Sequence, residues 1–217
     1  MRKFIEKNRY EILLVVQAAI VNTLAYYGGK LLSRNLPHRC FATGLDAAIP
    51  VLPWTILIYF GGVLFWIVNY FIGAGNRKGG HSPMIAAHVL GEAVCFLFFV
   101  GLPTTMARPE VTGTGLCDWI LRLTYRLDAA DNLLPSIHCF ESWLCWIEAR
   151  KNPRVPRWYR WVSLAIAAAI CVSTLTVKQH VLADVAAGIL LAEVCYLGAE
   201  RFFRARAAGK QRASGPA

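Results

Sequence analysis

Long apolar runs separated by short polar segments dominate the chain, and this pattern predicts membrane-spanning helices. Six such segments lie at about 10–32, 49–73, 84–103, 136–150, 159–177 and 180–200. A helix needs about 20 mostly apolar residues to cross the hydrocarbon core of a bilayer. We therefore predict an all-α, polytopic membrane protein built as a six-helix bundle, with one domain at 1–206 and a disordered basic tail at 207–217.

The fourth segment is the weakest of the six. Between Ser136 and Ala149 it is barely long enough to cross, and it contains Glu141 and Glu148. It is retained because an odd number of spans would put the two positively charged ends of the chain on opposite sides of the membrane.

The composition supports a membrane protein. Hydrophobic residues make up 56% of the 217 residues and charged residues 17%, with a formal net charge of +10. The mean hydropathy of +0.43 is too high for an ordinary soluble domain. In a soluble protein this positive charge would suggest a nucleic acid partner, but here loop charges that orient helices explain it better.

Lysine and arginine are distributed unevenly over the two predicted sides. With six spans, the side that carries both termini holds 16 of the 23 basic residues, and the other side holds seven. The positive-inside bias then places both termini in the cytoplasm and the loop around His180 outside. The short chain and the absence of eukaryotic sorting signals lead us to expect a bacterial cytoplasmic membrane.

The longest outside loop, at about 104–135, contains apolar residues at helical spacing. After a Gly-Thr-Gly break, we predict a short amphipathic helix in the outer membrane interface, with the apolar residues Leu116, Trp119, Ile120, Leu123 and Leu127. Cys40 and Cys117 fall in loops on this same side, so the sequence leaves a disulfide between them open.

The turn from Ser173 to Asp184 concentrates chemically active residues between two apolar runs. A helix that restarts near His180 would put His180 and Asp184 on one face, since residues four apart are neighbours on a helix. Asp184 could then accept the Nδ1 hydrogen of His180 and leave Nε2 free to attack or to accept a proton. Lys178 lies in the same turn.

Two further outside segments carry reactive residues. Arg108-Pro109 follows the third helix, and Pro135-Ser136-Ile137-His138 opens the fourth. Two histidines, one carboxylate and nearby cations suit phosphoryl transfer, in which one imidazole attacks phosphorus and another protonates the leaving oxygen. The helix start at Ser136 also favours an anion.

These motifs resemble the type-2 phosphatidic acid phosphatase (lipid phosphate phosphatase) superfamily, whose signatures are K-x6-R-P, P-S-G-H and S-R-x5-H-x3-D. The resemblance implies a six-helix core, no metal and no cofactor. It also implies that His180 is the nucleophile that forms a phosphohistidine, that Asp184 orients it and that His138 is the general acid. By the same resemblance Arg108, Ser136 and Ser173 would contact the substrate phosphate.

The chain departs from these signatures at three positions. Gly101 replaces the lysine of the first, Ile137 the glycine of the second and Thr174 the arginine of the third. Lys178 is our candidate replacement for the missing cations. The looser pattern is also similar to the branch of sphingomyelin synthases and inositol phosphorylceramide synthases, which transfer a headgroup to an alcohol.

The favoured interpretation is hydrolysis of a lipid phosphate or lipid diphosphate at the outer leaflet, with a membrane lipid phosphate as the partner. A headgroup transferase remains open, because the residues do not specify whether water or a lipid alcohol accepts the phosphoryl group. The lipid and the oligomeric state also stay open. A non-catalytic scaffold or transporter would be indicated by loss of His138, His180 or Asp184, and all three are present. A metal hydrolase that uses these three as ligands would need a further one.

Other ionisable residues also lie within apolar segments. Glu92, Glu141 and Glu193 are expected to be paired or functional there. Glu141 comes three residues after His138, so we expect it either to orient or charge that histidine or to pair with a neighbouring helix. His38, His81 and His88 are assigned structural roles.

Overall fold

The computed structural model describes residues 8–76 and 82–213, and within these ranges it is built of α-helices without β-strands. The all-α prediction is therefore confirmed for the described chain. His81 lies outside it. The helices are α1 (Arg9–Ser33), α2 (Gly44–Ala48), α3 (Ile56–Gly75, after a 3₁₀ turn at Pro53–Thr55), α4 (Pro83–Gly101), α5 (Leu116–Leu127), α6 (Ile137–Lys151), α7 (Arg157–Thr176) and α8 (Leu182–Ala213).

Five of the described helices are long and apolar enough to cross a membrane, which agrees with an integral membrane protein. They are α1, α3 with its preceding turn, α4, α7 and the Leu182–Gly209 part of α8. The predicted fourth span corresponds to α6, which has only 15 residues and is not among the five. A count of six spans therefore does not follow from length and composition.

Helix α6 is nevertheless the most enclosed helix of the bundle. Ten of its 15 residues are buried, and it packs against α3, α4, α7 and α8. Its polar side chains find partners inside the protein: Trp66 donates to Ser142 Oγ at 2.9 Å, and Tyr196 donates to Glu148 Oε2 at 2.9 Å. Because α6 faces protein and not lipid, it does not need the strong hydropathy of the surrounding helices.

Two glycines allow neighbouring helices to approach α6 closely. A Cβ atom on Gly91 of α4 would lie 2.0 Å from Cζ of Phe140, and one on Gly188 of α8 would lie 2.5 Å from the carbonyl oxygen of Ser136. Small residues let helix backbones come together in this way. Gly188 thus brings α8 against the first turn of α6, which carries His138.

The basic residues near the end of α6 lie at the opposite end of that helix from His138. Lys151 Nζ is 2.6 Å from Glu200 Oε2, and an Arg150 guanidinium nitrogen is 3.4 Å from Glu193 Oε2, so both contact α8. Arg154 donates to the carbonyl oxygen of Gly75 at the end of α3. The separation of this basic end from the histidines agrees with the charge distribution that the sequence predicts.

Helix α5 occurs where the outside loop was predicted to contain a helix. Leu121 is buried against Tyr59 and Val177, whereas Trp119 and Leu127 are exposed. Its position in a membrane interface stays a prediction, as do the single domain at 1–206 and the disordered tail, although α8 continues as a helix to Ala213. Cys40 and Cys117 are free thiols.

Replacement of Gly188 by alanine should disturb the α6–α8 contact. The added Cβ meets a backbone oxygen that cannot rotate away, and overpacking of this kind typically costs about 1–3 kcal/mol. We expect Gly188→Ala to lower the midpoint of thermal unfolding in detergent. Gly198→Ala on the same helix is the matched control, because its Cβ would meet nothing within 4 Å and alanine is the better helix former. Equal midpoints for the two variants would contradict the close contact.

Candidate active site

His138 and His180 line one cavity of about 200 Å³, and their ring centroids are 6.3 Å apart. The rest of the wall comes from α1, α3, Gln179 and the loop after α5. Segments about 40 residues apart in sequence are therefore brought together as predicted. The cavity lies between α1 and α3, two of the candidate spanning helices.

His138 is held by aromatic side chains of α3. Its ring stacks on Tyr59 with centroids 4.0 Å apart and an interplanar angle of 17°, and the ring of Trp66 lies edge-on at 5.1 Å. The Tyr59 hydroxyl is 3.4 Å from Nδ1 of His138. Ser136 caps α6, since its Oγ accepts the Cys139 N–H at 3.3 Å. Ser136 thus builds the helix start beneath His138, and it does not line the cavity.

His180 and Asp184 are paired across a helix start. Helix α8 begins at Leu182, so His180 precedes it, and the two residues do not share a helical face as the sequence suggested. Asp184 Oδ2 accepts the Val181 N–H at 2.9 Å and lies 3.4 Å from His180 Nδ1, within ion-pair distance but without hydrogen-bond geometry. The Ser136 N–H donates to the Asp184 carbonyl at 3.1 Å, which joins the two histidine-bearing segments.

Arg108 binds the loop that carries His180. Its guanidinium donates to the carbonyl of Lys178 at 3.2 Å, to the carbonyl of Asp128 at 2.5 Å and to Oε1 of Gln179 at 2.5 Å. It also lies over the Tyr125 ring, 4.8 Å from the centroid. Arg108 does not itself line the cavity, so the structure places it behind the site that it was predicted to contact.

The Lys178 ammonium is bound to a different part of the chain. Nζ donates to the carbonyl oxygens of Asp46 at 2.7 Å and Ile49 at 2.6 Å. Burial lowers the pKa of Lys178, and the neighbouring Asp46 carboxylate partly offsets this effect. Burial would raise the pKa of Asp46, but hydrogen bonds from Thr43 and Leu182 outweigh it and hold that pKa below its usual value.

The cavity wall lacks the cations that the sequence predicted for it. Ser173 donates to the carbonyl of Ile170 at 2.7 Å and, like Lys178, is absent from the wall. Across residues 8–76 and 82–213, no lysine or arginine side chain lines this cavity. The predicted phosphate-binding roles of Lys178 and Ser173 thus have no support in their contacts.

Gln179 is a site residue that the sequence analysis missed. It is 3% exposed and lines the cavity beside His180. Arg108 binds its Oε1, and its Nε2 finds no hydrogen-bond partner among the described residues. A buried donor without an acceptor is unfavourable, so this amide is suited to binding a substrate oxygen. No sequence signal identified it, because the family signature leaves this position unspecified.

Two acidic residues that the sequence suggested were loop caps also lie on the cavity wall. Asp128 and Asp131 line the cavity, and Lys30 Nζ lies behind them, 3.1 Å from Asp128 Oδ1 and 2.9 Å from Asp131 Oδ1. Tyr26 donates to Asp128 at 2.5 Å. These pairs join α1 to a loop about 100 residues later in the sequence, which no local pattern could reveal.

Glu141 does not contact His138. Its carboxylate accepts from Tyr70 and lies 2.7 Å from Nδ1 of His88, so the interhelical alternative is the one found. His88, Glu92 and Glu141 are also the described residues whose donor atoms come close enough together to hold a metal ion. This group is separate from the pair His138 and His180.

Comparison with known proteins gave one finding. A family model described as the PAP2 superfamily matches residues 122–198. The matched segment contains His138, His180 and Asp184, whereas Arg108 lies before it. Neither the curated proteins nor the solved structures contain a match to this chain.

The contacts of Lys178 predict a structural role. Hydrogen bonds from a charged donor contribute about 1.5–3 kcal/mol, so Lys178→Met should lower the free energy of unfolding by about that amount. Thermal unfolding in detergent measures the change, with Arg126→Met as the control because Arg126 is exposed on α5. Unchanged stability together with a raised KM for a phosphate substrate would instead restore the predicted phosphate-binding role.

Proposed function

We propose that this chain, which belongs to the PAP2 superfamily, is a metal-independent membrane lipid phosphatase that hydrolyses a lipid phosphate or lipid diphosphate through a phosphohistidine intermediate. Membership of the superfamily supports phosphatase-type activity. The observation that carries the proposal is the convergence of His138 and His180 on one cavity, with the Asp184 carboxylate 3.4 Å from His180 Nδ1.

The proposed reaction has two steps. In the first, Nε2 of His180 attacks phosphorus, the bond from phosphorus to the lipid oxygen breaks, and His138 protonates that oxygen. In the second, His138 takes a proton from water, the water oxygen attacks phosphorus, and inorganic phosphate leaves as the bond to His180 breaks. The negative charge of Asp184, 3.4 Å from Nδ1, favours the proton on that nitrogen, so that Nε2 carries the lone pair in the resting enzyme.

Neutral donors would hold the phosphoryl oxygens in this proposal. Gln179 Nε2 is a donor at the wall without a partner among the described residues, and Arg108 keeps its amide oriented by binding Oε1. The first turn of α6 adds the positive end of a helix beside His138. Arg108 is thus a positioning residue that acts through Gln179.

The position of the cavity supports a lipid substrate. The cavity lies between α1 and α3, whose outer faces expose apolar residues such as Leu24, Phe60 and Leu64. A lipid headgroup could reach the histidines sideways while its chains stay in the bilayer. In this arrangement α6 is a short sixth span, α5 lies in the outer interface, both termini are cytoplasmic and the site opens to the outer leaflet of a bacterial cytoplasmic membrane.

One observation favours a second candidate, phospholipid headgroup transfer. The side chains of Asp128 and Asp131 are 33% and 21% exposed at the cavity, and Lys30 is shared between them. Two carboxylates against one ammonium leave this wall net negative. It would attract the ammonium of a zwitterionic phosphodiester and repel a phosphate dianion.

Inorganic phosphate release tests the phosphatase proposal. The full chain in detergent with EDTA would be given phosphatidic acid, phosphatidylglycerophosphate and a polyprenyl diphosphate. We expect release by the wild type, a loss of at least about 1,000-fold in His180→Ala because the nucleophile is gone, and full activity in His38→Ala. His38 is a matched control because it is a partly exposed loop residue outside the cavity.

Two results would contradict the phosphatase. Release that persists in His180→Ala would exclude His180 as the nucleophile. No release from any of these lipids by the wild type would favour headgroup transfer. That second activity would be measured with a zwitterionic phospholipid as donor and a lipid alcohol as acceptor, and Asp128→Asn should raise its KM.

Gln179 gives an independent prediction. Removal of one donor that stabilises developing negative charge typically costs about 100- to 1,000-fold in kcat. We expect Gln179→Ala to lower kcat by about that factor while the protein stays folded, because its Nε2 has no partner to lose among the described residues. Gln17→Ala is the control on an exposed face of α1. A kcat unchanged in Gln179→Ala would remove this residue from the mechanism.

A further inference from the structure

A second polar cluster lies inside the bundle, apart from the two histidines of the candidate active site. It consists of His88 and Glu92 on α4 and Glu141 on α6, with exposed fractions of 1%, 0% and 2%. Ionisable groups at such depth are expensive and usually mark a site. The proposed phosphatase reaction uses none of these three residues.

The hydrogen bonds of His88 define the proton position on its ring. Nε2 lies 3.1 Å from the carbonyl oxygen of Ala18, which can only accept, so Nε2 carries a hydrogen. Nδ1 then faces Glu141 Oε1 at 2.7 Å. The Tyr70 hydroxyl also lies 2.6 Å from Nδ1, but it donates its one hydrogen to Glu141 Oε2. The Nδ1 and Oε1 lone pairs repel each other at that distance, so a proton or a metal cation must lie between or beside them. An imidazole oriented by a carbonyl in this way is common among metal ligands.

Glu92 supplies an unpartnered buried oxygen. Its Oε1 accepts from Asn22 Nδ2 at 3.0 Å, while Oε2 has no partner among the described residues although the side chain is fully buried. One donor atom from each of His88, Glu92 and Glu141 lies within 4.8 Å of the others. The orphan oxygen therefore belongs to a set of three donors that converge.

The charge balance of the cluster points to a dication. Two carboxylates carry two negative charges, and a protonated His88 would neutralise only one of them. A divalent cation would neutralise both and leave His88 neutral, with its Nδ1 lone pair available as a ligand. We propose that His88, Glu92 and Glu141 bind a divalent first-row transition metal ion.

The ligand types and the surroundings support this assignment. One imidazole nitrogen and two carboxylate oxygens suit ions such as Mn²⁺ or Zn²⁺. Tyr70 donates to Glu141 and would hold that ligand in place. A separate cavity of about 250 Å³, lined by His88 and Glu141, lies between α1 and α3 and provides access. The ion would tie α4 to α6 and would take no part in phosphoryl transfer.

Binding of Mn²⁺ tests the proposal without any measurement of activity. Thiolates bind Mn²⁺ poorly, so the seven free cysteines do not interfere. The full chain in detergent would be stripped with chelator, dialysed against Mn²⁺ and analysed for metal content and by electron paramagnetic resonance. We expect one Mn²⁺ per chain and a rise in the midpoint of thermal unfolding when the ion is added.

Three variants locate the ion. Glu92→Gln keeps the shape of the side chain and should weaken Mn²⁺ binding at least tenfold and abolish the thermal shift. His88→Gln should also weaken Mn²⁺ binding and abolish the thermal shift. This second variant tests the site even if Glu92→Gln does not fold. Glu193→Gln is the control, because Glu193 is a half-exposed carboxylate that pairs with Arg150 away from the cluster.

Two outcomes would overturn the proposal. A wild type that binds no Mn²⁺ would mean that protons balance the buried carboxylates. Binding that survives in both Glu92→Gln and His88→Gln would place the ion elsewhere, with Asp128 and Asp131 as the next acidic group. Either result leaves the phosphatase proposal intact, since that proposal stands on phosphate release in EDTA.

Discussion

The contact between the first turn of α6 and the start of α8 is the interaction on which the site depends. Gly188 lets the two backbones approach, and the Ser136 N–H donates to the Asp184 carbonyl at 3.1 Å. These contacts fix one histidine relative to the other, although His138 and His180 are 42 positions apart in the sequence. A phosphoryl-transfer site needs such rigidity, because small displacements of reacting groups reduce the rate strongly.

Helix α6 explains how polar groups are accommodated inside an apolar bundle. Its carboxylates would be too costly against lipid, but surrounding helices give each of them partners: Glu148 accepts from Asn76 and Tyr196, and Glu141 from Tyr70. The helix can therefore be short and weakly apolar and still lie at the centre of the fold. The same enclosure creates the converging donors of His88, Glu92 and Glu141.

The cations near the site are used for structure rather than for direct contact with the cavity. Arg108 and Lys178 bind carbonyl oxygens of neighbouring loops, and the cavity wall is left with a neutral amide and an acidic pair. This arrangement fits a chain in which two signature cations are replaced by Gly101 and Thr174. It also explains why both phosphate hydrolysis and transfer of a zwitterionic headgroup are chemically consistent with the geometry.

The sequence by itself determined the all-helical membrane class and the PAP2 resemblance, and it predicted His138, His180 and Asp184 as the residues of one site. These features depend on apolar run length and on short spacings, which are local properties of the chain. Only the tertiary structure decided the partners of Lys178, Glu141 and Gln179. Their contacts join segments up to 132 residues apart, so they depend on how the helices pack and leave no periodic trace in the sequence.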